Sequence, residues 1–284
     1  MKYHNLLKFI FINIIIISIC TFSFIEAQTI NKQNDATTYF KQGNAYVSKR
    51  QFQRAIKAYS QAIRLKPDFA DAYNNRGNAY NELNQPKKAI RDFSHLIRLN
   101  PNDADAYDNR GTSYSYLKQY KRAIEDYNKA IRLKPKDATM YYNRGVAYSQ
   151  VWKLQLAIED YSHSIKLNPN DADVYYNRGI SYSYLKQYQQ AIADYNQAIR
   201  LNPNDADPYN SRGNAYDDLQ QYQQAITDYN QAIRLNPNDA DIYYNRGVTW
   251  LYSLNNPSRG CPDLQKASVL SNELKNAVDK RYCN

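Results

Sequence analysis

Seven of the chain's eight glycines fall in a strict series, Gly43, Gly77, Gly111, Gly145, Gly179, Gly213 and Gly247, each 34 residues after the one before. A fixed period of this size belongs to a chain built by stacking one small unit many times. It overrides the one or two globular domains that 284 residues would otherwise suggest. Three cysteines and ten prolines exclude a disulfide scaffold and a collagen-like chain, and a mean hydropathy of -0.79 excludes a multi-span membrane protein.

With each glycine at position 8, the units begin at Ala36, Ala70, Ala104, Ala138, Ala172, Ala206 and Ala240. Tyrosine occupies position 4 throughout, from Tyr39 to Tyr243, and position 11 until Trp250 replaces it. Position 20 is alanine from Ala55 to Ala225. Position 24 is Tyr59, Phe93, Tyr127, Tyr161, Tyr195 and Tyr229, and position 32 is proline from Pro67 to Pro237. Residues three and four apart share a helical face, so positions 4, 8 and 11 define one helix and positions 20, 24 and 27 a second. Small residues at 8 and 20 let the two axes approach, and the rings fill the space around the contact. Proline at 32 ends the second helix. The Asn-Asp after Pro101, Pro169, Pro203 and Pro237 offers the next helix a cap and a favourable charge. A heptad coiled coil is excluded, because a proline and a glycine recur in every period.

This order of aromatic, Gly, Tyr, Ala, aromatic, Ala and Pro resembles the tetratricopeptide repeat family over residues 36 to about 273. The resemblance implies an all-α, right-handed superhelical solenoid of about seven helix-turn-helix repeats, starting at residues 36, 70, 104, 138, 172, 206 and 240, the last degenerate. It also implies a non-catalytic scaffold or adaptor that binds a protein or peptide in a concave groove lined by first-helix positions 2, 5, 6, 9, 12 and 13. Position 6 supplies a ladder of Asn75, Asn109, Asn143, Asn177 and Asn245, and position 9 adds Asn44 and Asn78. Beside them stand Phe40, Tyr142, Tyr176 and Tyr244 at position 5, and Tyr116, Tyr184 and Tyr252 at position 13. An amide both donates and accepts, which suits a peptide backbone; the alternative is that the ladder ties successive repeats together. The family's best-known groove holds a C-terminal carboxylate. Asn44 and Asn75 match two of its positions, but Phe40, Asp105 and Asn109 replace three basic ones, so that activity is not expected here.

One feature departs from the family pattern. Position 7, usually leucine, is Arg76, Arg110, Arg144, Arg178, Arg212 and Arg246. Position 23 is Asp92, Asp126, Asp160, Asp194 and Asp228, with Asp263 following after one inserted residue. Repeat one loses both partners, carrying Gln42 and Ala58. Their joint loss predicts an Arg-Asp bridge between the two helices of each repeat, the alternative being unrelated solvated charges.

At the N-terminus, Lys2 and Lys8, an apolar stretch over 9–25 and Ala27 read as a signal peptide over 1–27, or as an uncleaved N-terminal anchor, followed by a short linker over 28–35. At the other end, Gly260 marks a one-residue slip of register, and 274–284 reads as a capping helix over the last apolar face. In an exported protein Cys261 and Cys283 favour a disulfide across an antiparallel helix pair. A single continuous helix would instead hold them about 30 Å apart as free thiols.

No nucleophile elbow, phosphate loop or paired-histidine motif is present, so no catalytic residue, metal, cofactor or small-molecule substrate is expected. His95 and His163, both at position 26, read as solvated helix-face residues. The net charge of +10 is uneven: residues 36–69 hold seven Lys and Arg against one Asp, and residues 206–239 two Arg against five Asp. Lys49, Arg50, Arg54, Lys57, Arg64 and Lys66 are expected on the outer side of repeat one, where they could meet an anionic membrane. The expectation is a scaffold outside the cytoplasm, periplasmic, secreted or bound to the cell envelope. A nucleic-acid-binding helical solenoid is the first alternative, disfavoured by Asp71, Asp105, Asp173, Asp207 and Asp241 at position 2. The regulatory subunit of an enzyme complex is the second.

Overall fold

The structure is a computed structural model that describes residues 34–274 and Cys283. The expected signal or anchor segment, and the capping helix apart from Leu274 and Cys283, lie outside the described residues. The expected linker is shorter than its sequence suggests, because residues 34 and 35 already belong to the first helix.

Every regular element among the described residues is helical. The chain divides into two compact units at Leu133 and Lys134. The first holds α1 (34–48), α2 (Phe52–Leu65), α3 (Ala70–Glu82), α4 (Pro86–Leu99), α5 (Ala104–Tyr116) and α6 (Tyr120–Leu133). The second holds α7 (Ala138–Gln150), α8 (Leu154–Leu167), α9 (Ala172–Tyr184), α10 (Tyr188–Leu201), α11 (Ala206–Asp218), α12 (Tyr222–Leu235), α13 (Ala240–Val248) and α14 (Pro257–Leu270). Within each unit, successive helices pack as antiparallel hairpins, and each hairpin stacks on the next.

The boundaries follow from single residues. First helices from α5 onward start on an aspartate whose side chain accepts a backbone N–H: Asp103 from Ala106, Asp137 from Thr139, Asp171 from Asp173, Asp205 from Asp207 and Asp239 from Asp241. Asp137 follows a lysine, so the aspartate alone makes the cap. In contrast α3 starts on Phe69 with no side-chain cap. Second helices stop at the residue before proline, where α backbone is sterically disfavoured. Lys66, Asn100 and Asn168 are accordingly extended, with φ of -132°, -136° and -136°.

The hairpin contact is closest where the position-24 ring lies over the glycine. A Cβ on Gly77 would meet Phe93 at 2.7 Å, and one on Gly179 would meet Tyr195 at 2.7 Å. The position-20 alanines Ala55, Ala89, Ala123, Ala157, Ala191 and Ala225 are fully buried beneath.

In the last repeat the register slips earlier than Gly260. A π-helical turn over Thr249–Ser253 takes up the extra residue, so that the left-handed turn residue is Asn255, at position 16 instead of 15. Arg246 therefore still meets Asp263, 17 residues on where the other repeats use 16. Gly260 instead permits a close helix contact. A Cβ there would stand 2.8 Å from the Gly247 carbonyl oxygen, and its absence lets α14 lie against α13.

Candidate functional site on the first helices

The first helices are held in orientation by their position-7 arginines. Arg178 donates through Nε and Nη2 to the two carboxylate oxygens of Asp194 at 2.8 and 2.7 Å, and through Nη1 to Ser162 of the preceding repeat at 2.9 Å. Its guanidinium also lies over Tyr175 and Tyr182, 5.7 and 5.9 Å from their centroids. The same fork joins Arg76 to Asp92, Arg110 to Asp126, Arg144 to Asp160, Arg212 to Asp228 and Arg246 to Asp263. The third contact reaches Ser60 from Arg76, Ser94 from Arg110, Asn196 from Arg212 and Asn230 from Arg246. Each of these cations thus joins both helices of its own repeat and the second helix of the repeat before. Burial alone would lower the Arg178 pKa; the hydrogen bonds and charge of Asp194 more than offset it and leave the value raised.

The amide ladder runs between repeats. Asn75 donates to Asn44 at 2.9 Å, Asn109 to Asn74 at 3.0 Å, Asn177 to the Tyr142 hydroxyl at 3.3 Å and Asn245 to Asn210 at 3.1 Å. Tyr176 takes the matching step to Ser211 at 3.4 Å. Asn143 is likewise engaged. Tyr244 packs against the cluster of Leu251, Cys261 and Leu264. These contacts show the alternative reading, in which the ladder ties successive repeats together; the individual partners were not legible, because Asn109, Asn177 and Asn245 at position 6 meet position 5 of the repeat before, one residue off the period, and Asn75 meets position 9.

Two hollows open on this face at one register, one in each unit. In the first unit a hollow of about 640 Å³ is lined by Asn44, Asn75 and Asn78, with Val47 and Phe52 as apolar wall and Arg50 and Glu82 as opposite charges. In the second, about 370 Å³ is lined by Ser211, Asn214, Ser183 and Tyr184, with Ile180 apolar and Asp218 charged. A position-24 ring lines each: the Tyr59 hydroxyl donates to Asn44 at 2.7 Å, and the Tyr195 hydroxyl lies 3.1 Å from that of Ser183. Arg50 was expected on the outer side, and its place in the first hollow corrects that; a left-handed backbone, φ 55°, carries it there. The groups present, amides, hydroxyls and a single carboxylate at each rim, can hydrogen-bond a peptide main chain and seat small side chains.

The expectation for His95 also fails. It is half-buried, stacked on Tyr73 with centroids 4.2 Å apart, and its Nε2 is buried. His163 is exposed. Among the described residues no cluster of His, Cys, Asp and Glu could hold a metal ion. The continuous-helix alternative for the cysteines is excluded as well. Helix α14 ends at Leu270 and a 3-10 turn follows over Asn272–Leu274, with the Cα atoms of Cys261 and Cys283 5.3 Å apart.

Comparison with known proteins agrees with this architecture. A TPR repeat model matches residues 43–84, 113–151, 153–186 and 213–250, more than half of the chain, and tetratricopeptide repeat models match 70–103, 172–205, 93–125 and 194–227. No curated protein matches the sequence. Among solved structures, the C-terminal part of a TPR repeat-containing protein from Cytophaga hutchinsonii superposes with a TM-score of 0.68 at 19% identity, covering 84% of this chain and 99% of that one. A tetratricopeptide repeat protein from Parabacteroides merdae gives 0.66 at 19% identity, over 86% and 98%. YrrB, described as a TPR protein with an unusual peptide-binding site, gives 0.55 at 22% identity, over 64% and 94%. Repeats, periodicity and helix-pair geometry agree: the chain belongs to the tetratricopeptide repeat family.

Proposed function

We propose that the protein is a non-catalytic scaffold, exported from the cytoplasm, that seats an extended or helical segment of a protein partner on its first-helix face. Members of this repeat family generally serve as protein-interaction scaffolds. The observation that carries the finer reading is the recurrence, four repeats apart, of one hollow that shares a position-9 asparagine, a position-24 tyrosine and a position-13 carboxylate. The description of YrrB as having a peptide-binding site supports the same reading. Export is supported by the cationic and apolar segment over 1–27, and with it a Cys261–Cys283 disulfide, which thiol titration of the unfolded, unreduced protein would find as two unreactive sulfurs. The exposed Arg54, Lys57 and Arg64 on α2 favour peripheral contact with an anionic membrane.

Benzoylphenylalanine placed at Asn78 or Asn214 and irradiated in the native compartment tests the reading. A discrete protein adduct is expected from these positions and not from Gln223, which is exposed on a second helix. Adducts no more frequent at Asn78 and Asn214 than at Gln223 would refute it.

A further inference from the structure

Position 15 closes the first helix with left-handed backbone in each of the first six repeats: φ is 55° at Arg50, 53° at Asn84, 57° at Lys118, 58° at Trp152, 57° at Lys186 and 60° at Gln220. Five of these occupants are polar, as a solvated turn requires. The sixth is a tryptophan, 69% exposed. Its ring meets that of Tyr184, itself 61% exposed, edge to face with centroids 5.2 Å apart. Position 19 repeats the anomaly. It is Arg54, Lys88, Arg122, Gln190 and Gln224 elsewhere, but in this repeat it is Leu156, 39% exposed. The other repeats show that the fold is built equally well with polar residues at both positions. Solvent-facing apolar groups here add little packing to the folded chain, and a contact with something outside it accounts for them.

The charge around the pair specifies the partner. Across positions 15–19 of repeats one to six stand nine Lys and Arg and no Asp or Glu. Lys153 and Lys186, both exposed, neighbour Trp152 and Tyr184 along the chain, and the carboxylate of Asp218 borders Tyr184 on its hollow side. The same register in the first unit repeats the combination independently: a hollow of about 350 Å³ lined by Pro86, Tyr116 and Leu117 with Lys87 and Lys88 beside them.

We propose that the turn edge between repeats four and five docks an acidic peptide segment of a protein partner, with an apolar side chain against Trp152 and Tyr184 and carboxylates on Lys153 and Lys186. The pair stands at the register that Arg50 and Glu82 take at the rim of the first hollow, and Tyr184 also lines the second, so this surface adjoins the first-helix face; the Asn214→Ala variant tells the two apart.

The test uses the full chain and an arrayed library of acidic peptides in which Phe, Leu or Pro stands between glutamates, read by fluorescence polarisation. Control peptides carry Lys for Glu, or Ser for the apolar residue. Acidic-apolar peptides are expected to bind best, and more weakly as salt rises. The double variant Trp152→Lys with Leu156→Gln should lose tenfold or more in affinity, about 1.4 kcal/mol, as removal of a buried aromatic anchor does. That variant reproduces residue types already present at Lys118, Lys186, Gln190 and Gln224, so its melting temperature should be unchanged. Asn214→Ala should leave binding intact. The proposal is overturned if no acidic-apolar peptide outcompetes its controls, or if the double variant binds as the parent does. It is also overturned if an oligothymidylate binds the same residues more tightly, or if sedimentation shows self-association that the double variant abolishes. Loss of binding in Asn214→Ala alone would place the peptide on the first helices, overturning this proposal while leaving the scaffold reading standing.

Discussion

A guanidinium that two carboxylate oxygens, a hydroxyl and two rings hold together is expensive to strand. The side chain of Arg178 is 19% exposed and that of Asp194 7%, so Asp194→Ala leaves a cation with little water around it. It should cost about 3–5 kcal/mol in urea denaturation. Arg178→Leu with Asp194→Ala, which pairs the family's usual position-7 residue with the alanine found at Ala58, should fall within about 1 kcal/mol of the parent. A single variant no worse than the double would show that the bridge does not matter. The buried tyrosines give a second residue-scale expectation. Burial raises the hydroxyl pKa of Tyr59, Tyr161, Tyr195 and Tyr229 above 10.0, and that of Tyr127 to about 12. Their contribution to stability is therefore complete below about pH 10, the value in the unfolded chain, and is lost as pH rises through the folded values. In an alkaline titration the tyrosinate absorbance of these rings should appear together with loss of helix. Ionisation of all tyrosines before any unfolding would contradict it.

At the scale of the element, the turns between paired helices store strain. A non-glycine residue in left-handed backbone costs about 1 kcal/mol. Gln220, with φ 60° and an exposed side chain, is the simplest place to measure it. Gln220→Gly should stabilise by up to about 1 kcal/mol in thermal or urea melts, less whatever freedom glycine adds to the unfolded chain, and Gln220→Val should destabilise. Destabilisation by glycine would mean that the strain is absent. Legibility also divides here. Helix ends set by proline are readable, because the clash of the proline ring with the residue before it is local. The left-handed turn is not, because Arg, Asn, Lys, Trp and Gln all occupy it and none announces it.

Across the whole molecule, stability in a stacked chain is close to a sum over repeats and their neighbours. Repeat one lacks the Arg-Asp bridge and crowds seven cations against one aspartate. Within the first unit, hydrogen exchange should therefore protect α1 and α2 least, and added salt should narrow their difference from α3 to α6. Equal protection at low salt would count against this.

The sequence alone determined the helix pairs, their period, the starts of six repeats and the residues that cap or end them. All of these depend on contacts within a few residues, repeated often enough to be read. Tertiary structure decided what each polar side chain touches. The position-6 amides of Asn109 and Asn245 meet position-5 amides of the repeat before, one residue out of step with the period, and a π turn takes up the extra residue of the seventh repeat, so that Arg246 still meets Asp263. Nothing in the sequence marks Trp152 as an exposed anchor; the tertiary structure alone sets its ring against Tyr184, beside turn positions 15–19 that carry Lys and Arg and no acidic residue.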